Sequence, residues 1–175
     1  EVLEEMSWAP NLHRLVHFET ETEYVEPLAA SLQEAVDDGA HILFSYHGLP
    51  LSHVRRADST RSHCQKVDDC CSTACSANAM CYAHHCHLTT AAVVEALGLP
   101  NDRWSLSYQS RIGPVKWLTP ATTTMVEELA ARGVTNVAVV APAFVVDGLE
   151  TLEELEIELR KTFMEAGGKS FRVVP

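Results

Sequence analysis

The sequence predicts an α/β protein, a parallel, doubly wound sheet of about four strands flanked by helices, with a cysteine-rich loop inserted between them. Three observations predict it. The strand-like segments are continuously apolar, as strands covered on both faces must be. They alternate with segments whose apolar residues recur at helical spacing. Glycine and proline fall where each helix should stop.

In chain order, Arg14-Leu15-Val16-His17-Phe18 reads as a short strand. Val25, Leu28, Ala29, Leu32, Ala35 and Val36 then follow a helical period that Gly39 ends. His41 to Tyr46 is an apolar run fit for a central strand, followed by a polar loop containing Gly48, Pro50, Arg55, Arg56 and Asp58. Beyond the cysteine-rich stretch, Thr89 to Leu97 is helical up to Gly98 and Pro100, and Trp104 to Tyr108 is strand-like. Thr119-Pro120 has the form of a helix start, an N-cap followed by proline at the first helical position. After Gly133, residues 136–141 form another apolar strand. A helix over 149–166 should bury Leu149, Leu152, Leu155, Leu159 and Phe163, stop at Gly167-Gly168, and lead into a last strand over 171–174. There is no internal repeat or low-complexity tract.

At 175 residues, 46% of them hydrophobic, the chain can bury one real core. Its 13 Lys and Arg against 24 Asp and Glu give a net charge of −11, which argues against a nucleic-acid partner, because neutralising phosphates takes clustered cations. No apolar run approaches the ~18 residues of a membrane span. The acidic opening at Glu1, Glu4 and Glu5 is unlike a signal peptide and reads as mid-protein. The expected organisation is therefore 1–12 as the end of a preceding domain or a linker, and 13–175 as one α/β domain.

Ligands of such sheets bind beyond the carboxyl ends of the strands. Three groups fall there: His47 after one strand, Gln109-Ser110 after the next, and Asp147 with Glu150 after the third. Neutral imidazole accepts protons near pH 7 and ligates borderline divalent metals, although a histidine after a strand is also a common packing residue. Glu150, Glu154 and Glu158 are spaced to stack along one side of the last helix. Such a row is either a solvated face or a path for a divalent cation.

All six cysteines, Cys64, Cys70, Cys71, Cys75, Cys81 and Cys86, lie in one stretch with His63, His84, His85 and His87 among them. A disulfide framework spreads its cysteines through a small secreted chain. A local cluster more often holds a metal or an iron–sulfur cluster, with incidental or disulfide-paired thiols as the alternative.

Three motifs together resemble the ferrochelatase family: Phe44-Ser45-Tyr46-His47-Gly48-Leu49-Pro50; Ser107-Tyr108-Gln109-Ser110-Arg111-Ile112-Gly113-Pro114 with Trp117-Leu118-Thr119-Pro120; and Pro142 to Leu155 around Asp147-Gly148-Leu149-Glu150. The resemblance runs from about Trp8 to the end. It implies a chelatase-like fold and insertion of ferrous iron, the substrate metal, into a porphyrin in haem synthesis. It further implies that His47 and Glu150 are catalytic, that Asp147, Glu154 and Glu158 form a metal path, and that Tyr46, Gln109, Ser110 and Trp117 line the porphyrin cleft. The helix carrying the acidic row has a π-helical stretch in that family. Gly148 stands where many relatives have Cys or His.

Only the second of the family's two α/β domains is matched. The polypeptide is thus expected to be a fragment, inactive alone, whose missing amino-terminal domain is a partner. A cytoplasmic, bacterial-type location is implied, with peripheral membrane association and oligomeric state left open. Relatives read Gly-Asp-Pro-Tyr and then a Cys and a Thr opening the next helix. Here Ala57-Asp58 begins that pattern, and Tyr82, Cys86 and Thr89 complete it around an insertion at about 59–81. Several bacterial members carry a 2Fe-2S cluster, which needs four thiolates. By resemblance Cys64, Cys71, Cys75 and Cys81 would hold it, with Cys70 as substitute for its neighbour and zinc as the alternative to the cluster. Two other readings compete with ferrochelatase: a cobalt or nickel tetrapyrrole chelatase, and a non-catalytic metal-binding or sensor module on the same scaffold.

Overall fold

A computed structural model describes Glu5, Met6, Ala9, Asn11, His13, Leu15 and residues 17–175. The strand expected over 14–18 falls partly on Arg14 and Val16, outside the described residues. His17 and Phe18 belong to no strand; instead Phe18 packs edge-on against Tyr24 at 5.1 Å and its carbonyl accepts the Glu21 N–H.

The elements run α1 (Thr22–Asp37), β1 (His41–His47), α2 (Leu51–Ala57), α3 (Tyr82–Leu97), β2 (Trp104–Gln109), α4 (Thr122–Ala131), β3 (Asn136–Val140), a π-helix (Glu150–Leu159) continuing into α5 (Arg160–Glu165), and β4 (Ser170–Val174). The four strands form one sheet, all parallel, in the order β2-β1-β3-β4. The expected doubly wound α/β sheet is present.

Two cores cover the sheet. Alternate residues of β1 divide between them, because successive side chains of a strand point to opposite faces. Ile42, Phe44 and Tyr46 pack with Val25, Ala29 and Leu32 of α1 and with Ala83, Cys86 and Val93 of α3. Leu43, with Val137 and Val139 of β3, packs against Val126 and Leu129 of α4 and against Leu155, Leu159 and Phe163. The connection leaving β1 therefore crosses one face and the connection leaving β3 crosses the other. Between these adjacent strands lies the switch point, beyond whose carboxyl ends sheets of this kind bind their ligands.

Four expectations need correction. Residues 51–57 form a short helix within the expected polar loop, with Val54 buried beneath it. The helix expected at 89–97 begins at Tyr82, since Ala83, His84 and Cys86 already present a buried face; its far end is closed by Gly98 in the left-handed conformation, as expected of a helix C-cap. Thr119-Pro120 does not start a helix. The Pro120 carbonyl accepts the Tyr108 N–H, extending the edge of β2, and α4 begins only at Thr122.

The fourth correction concerns the last helix. Leu149 and Leu152 are 71% and 56% exposed, and the buried stripe is Thr151, Leu155, Leu159 and Phe163. The cause is the π winding: bonds from i to i+5 widen each turn, so residues four apart stay on the core face and the i−3 positions rotate away.

Candidate functional site

β1 is one of two inner strands, paired on both sides, and its last residue is His47, opposite Gln109 in register. The turn after it is tight. The Gly48 N–H donates to the Gln109 carbonyl at 2.8 Å, and a Cβ on Gly48 would lie 2.6 Å from that oxygen. Only glycine fits there. The Trp117 indole packs over the same glycine, 3.5 Å from that Cβ position, while Pro50 and Trp117 bridge the two loops. The Tyr82 hydroxyl donates to the His47 carbonyl at 2.9 Å, and the His47 ring meets Phe144 edge-on at 6.0 Å. The backbone of His47 is thereby held from β2 and from α3.

Strand alternation puts His47 on the side of Ser45, facing α4 and the π-helix. The Ser45 hydroxyl donates to Gln109 Oε1 at 2.6 Å and lies 2.9 Å from Thr122 Oγ1, which also bonds Ser107. Gln109 Nε2 donates to the Glu150 carbonyl at 3.1 Å. A buried polar chain thus links the ends of β1 and β2 to the first residue of the π-helix. Sequence reading missed Ser45 and Thr122; two hydroxyl residues at otherwise apolar positions were the signal.

Tyr46 points the other way. It is buried, with its hydroxyl 2.9 Å from Thr90 of α3, and offers nothing to the side that His47 faces. Gln109 is buried as well and acts as a brace.

Beyond the end of β2, an open cleft of about 460 Å³ is lined by Gln109, Ser110, Ile112, Leu149, Glu150, Glu154 and Glu158, among others. His47 adjoins it at the neighbouring strand end without lining it. Ser110 has a left-handed backbone, φ +61°, that turns its N–H and hydroxyl onto Glu154. These donate to the two carboxylate oxygens at 2.6 and 2.5 Å. Glu158 is exposed. Asp147 is exposed too, and its Oδ1 accepts the Thr151 hydroxyl at 2.9 Å, steadying the start of the π-helix. Ile112, Val145, Val146 and Leu149 stand 71–81% exposed about this end of the sheet. Exposed apolar side chains of this kind are what binding surfaces present.

The cysteine-rich segment is anchored at both ends. Asp58 is buried, and its carboxylate accepts the Thr60 hydroxyl and the N–H groups of Thr60, His63 and Cys64. These bonds, the Thr60 hydroxyl first, hold its carboxyl well below the usual range. Asn78, fully buried, accepts the Cys75 N–H and donates to the carbonyls of Cys70 and Thr73.

Within this frame Cys64, Cys70, Cys71 and Cys81 gather. Cys70 and Cys71 sulfurs are 3.9 Å apart, and the Cys64 S–H donates to the Ala77 carbonyl at 3.6 Å. The Cys71 S–H holds the Cys81 thiol below its ordinary range, helped by the N–H groups of Ala83 and His84 that face it at the head of α3. The Cys71 thiol is pushed up as the donor of that pair. Cys64 and Cys81 are buried against the α1–α3 core. Cys75 stands outside the group, exposed, with Sγ 3.6 Å from His63 Nε2. Cys86 lies in the core, where burial pushes its thiol up to about 12, consistent with a packing role. The donor set, sulfur-rich with a lowered thiol at its centre, suits a soft metal or an iron–sulfur cluster.

Among the described residues no helix is long and apolar enough to cross a membrane. Comparison with known proteins finds three similar chains among others. A ferrochelatase of Ectopseudomonas mendocina (strain ymp) is 44% identical over 160 residues, 90% of this chain and 47% of that protein. One of Pseudomonas fluorescens (strain Pf0-1) is 42% identical over 176 residues, 99% of this chain and 52% of the relative. One of Opitutus terrae (strain DSM 11246 / JCM 15787 / PB90-1) is 42% identical over 159 residues, 90% and 46%. The chain spans about half the length of the curated relatives it matches. The ferrochelatase family model matches residues 1–175, and with the parallel sheet and the three motifs in place, this chain belongs to the ferrochelatase family.

Proposed function

We propose that this chain is the second α/β domain of a cytoplasmic enzyme that inserts ferrous iron into a porphyrin, and that residues 13–175 supply one wall of the cleft while a preceding domain supplies the other. One observation carries the reading: His47 and Glu150 emerge beside the same switch point, joined through Gln109, with a row of carboxylates leading away from it. The apolar side chains around the cleft suit a flat tetrapyrrole and its covering domain.

Insertion removes two N–H protons from the porphyrin as the metal enters. His47 accepts a pyrrole proton, a task for which neutral imidazole is suited. Glu150 faces the incoming cation and replaces part of its hydration shell. Glu158, exposed at the far end of the row, admits the metal from solvent. Glu154 joins that path only by exchanging its bonds to Ser110, so it also sets the position of the Ser110 loop. Asp147 steadies the helix start, Ser110 borders the cleft, and Trp117 backs the turn after His47. Tyr46 and Gln109 support it from within.

In the full-length protein, His47→Ala and Glu150→Gln should each abolish most metal insertion while porphyrin binding stays detectable. Near-normal turnover in either variant would overturn the assignment. A cobalt or nickel chelatase would be revealed by insertion of those metals in preference to iron, and a non-catalytic module by absence of turnover in the unsubstituted protein.

The gathered thiols support a 2Fe-2S cluster held by Cys64, Cys71 and Cys81 with Cys70 as fourth ligand, the neighbour standing in for the exposed Cys75. When bound, such a cluster supplies iron–thiolate bonds that cross-link the insertion. The chain's own part is to order the loop through Asp58 and Asn78, so the group acts in structure or sensing and not in the chemistry at His47.

A further inference from the structure

Away from the cleft, three side chains from two distant stretches meet: His17 and Glu19 just ahead of α1, and His85 in the first turn of α3. Their ligand atoms all lie within 4.8 Å of one another. We propose that His17, Glu19 and His85 form a site for a divalent transition-metal ion of the zinc class, separate from the cleft and from the gathered thiols.

The separations fit such an ion. Bonds of about 2.0–2.2 Å to nitrogen and carboxylate in a tetrahedral site place neighbouring donor atoms roughly 3.4 Å apart. His17 Nδ1 is 3.4 Å and His85 Nε2 is 3.6 Å from Glu19 Oε1. The imidazole pair selects a borderline cation over magnesium or calcium, which take oxygen donors.

The site is also oriented. Glu19 Oε2 accepts the Phe18 N–H at 2.9 Å, which turns Oε1 toward both imidazoles. Outer partners of this kind fix ligands in metal sites. The two rings meet edge to face, centroids 4.9 Å apart at 76°, so they converge at an angle and do not stack. Glu19 and His85 are largely covered, at 17% and 24% side-chain exposure. His85 Nε2 also lies 2.9 Å from the Ala79 carbonyl, where the metal-free ring donates its proton. Metal binding uses the other tautomer: Nε2 gives up its proton to solvent and Nδ1 takes one from it, so His85 binds as neutral imidazole. His17, Glu19 and His85 line an open depression that Cys75, Ser76 and Asn78 also line, so water or an exogenous donor can reach the three ligands. A bound ion would clasp the segment before α1 to α3, next to the end of the cysteine-rich segment.

The test uses the full chain with any histidine tag removed, and zinc or cobalt(II) alone as probe. With serine at Cys64, Cys70, Cys71, Cys75 and Cys81, the chain should still bind one equivalent of zinc. Glu19→Gln, His17→Ala or His85→Ala should each weaken that binding by roughly tenfold or more, with the circular dichroism unchanged. Should the five-serine chain fail to fold, cobalt on the unsubstituted chain makes the same comparison. Its visible bands from the nitrogen–oxygen site should vanish in Glu19→Gln while near-ultraviolet sulfur-to-cobalt absorption persists. Loss of all zinc with the thiols, or zinc and cobalt binding unaltered by all three substitutions, would overturn the proposal.

Discussion

At the scale of single residues, the cysteine-rich segment is governed by polar anchors more than by its cysteines. Asp58 and Asn78 fix the loop, and the thiols fall where those anchors leave them. Of the five insertion cysteines, the resemblance implies Cys64, Cys71, Cys75 and Cys81 as ligands, with Cys70 only as substitute for adjacent Cys71. The fold instead turns both inward, 3.9 Å apart, and leaves Cys75 facing His63. Anaerobically prepared protein is therefore expected to be red-brown, with two iron and two acid-labile sulfides per chain. Serine at Cys64, Cys70, Cys71 or Cys81 should bleach it, since a hydroxyl is a poor ligand for iron, and serine at Cys75 or Cys86 should not. Iron and sulfide assays beside the visible spectrum check this. A colourless protein that loses zinc with the same serines would replace the cluster by zinc, and bleaching by Cys75→Ser alone would restore the set based on resemblance.

At the scale of elements, legibility followed hydrophobic pattern. β1, β2, β3 and β4 were readable because apolar runs bounded by glycine and polar residues leave little choice. The first two turns of α3 were not, because His84, His85 and Cys86 look like ligands or loop residues until the helix buries one side of them. The π winding was invisible to helical periodicity, which places Leu152 and Leu155 on the same stripe. The two leucines separate the readings. Leu155→Ala, fully buried, should cost about 2–5 kcal/mol, whereas Leu152→Ala should stay within about 0.5 kcal/mol, as for ordinary surface changes. Urea unfolding of both variants measures the contrast, and equal losses would mean that Leu152 shares the core.

For the whole molecule, the sheet places its candidate site at one end and a pH-sensitive support at the other. His41 opens β1, buried, with Nε2 2.9 Å from the Ser105 hydroxyl. Burial, aided by the nearby Arg132, lowers it from 6.5 to about 4. The unfolded chain takes up this proton first, so the stability His41 contributes is complete above about pH 6.5 and declines as pH falls toward 4. His41→Gln should flatten that part of the stability–pH curve, as measured by denaturant unfolding at a series of pH values. An unchanged slope would place the acid sensitivity elsewhere. At the opposite end, His47 and Glu150 could be named from sequence because both follow strands of a parallel sheet. Their linkage through Gln109 could not, since it depends on register across three elements.

The widened turn of the acidic helix also says something about chain length. Its buried residues, Thr151, Leu155, Leu159 and Phe163, recur at intervals of four, four and four. Delete the exposed Ile157 and the intervals become four, three and four, the rhythm of an ordinary α-helix. The shortened chain should keep a well-covered core, yet the third carboxylate would leave the line formed by Glu150 and Glu154. A single codon thus separates an everyday amphipathic helix from one that keeps three acids in file. Residue count, as much as residue identity, carries the information for that face.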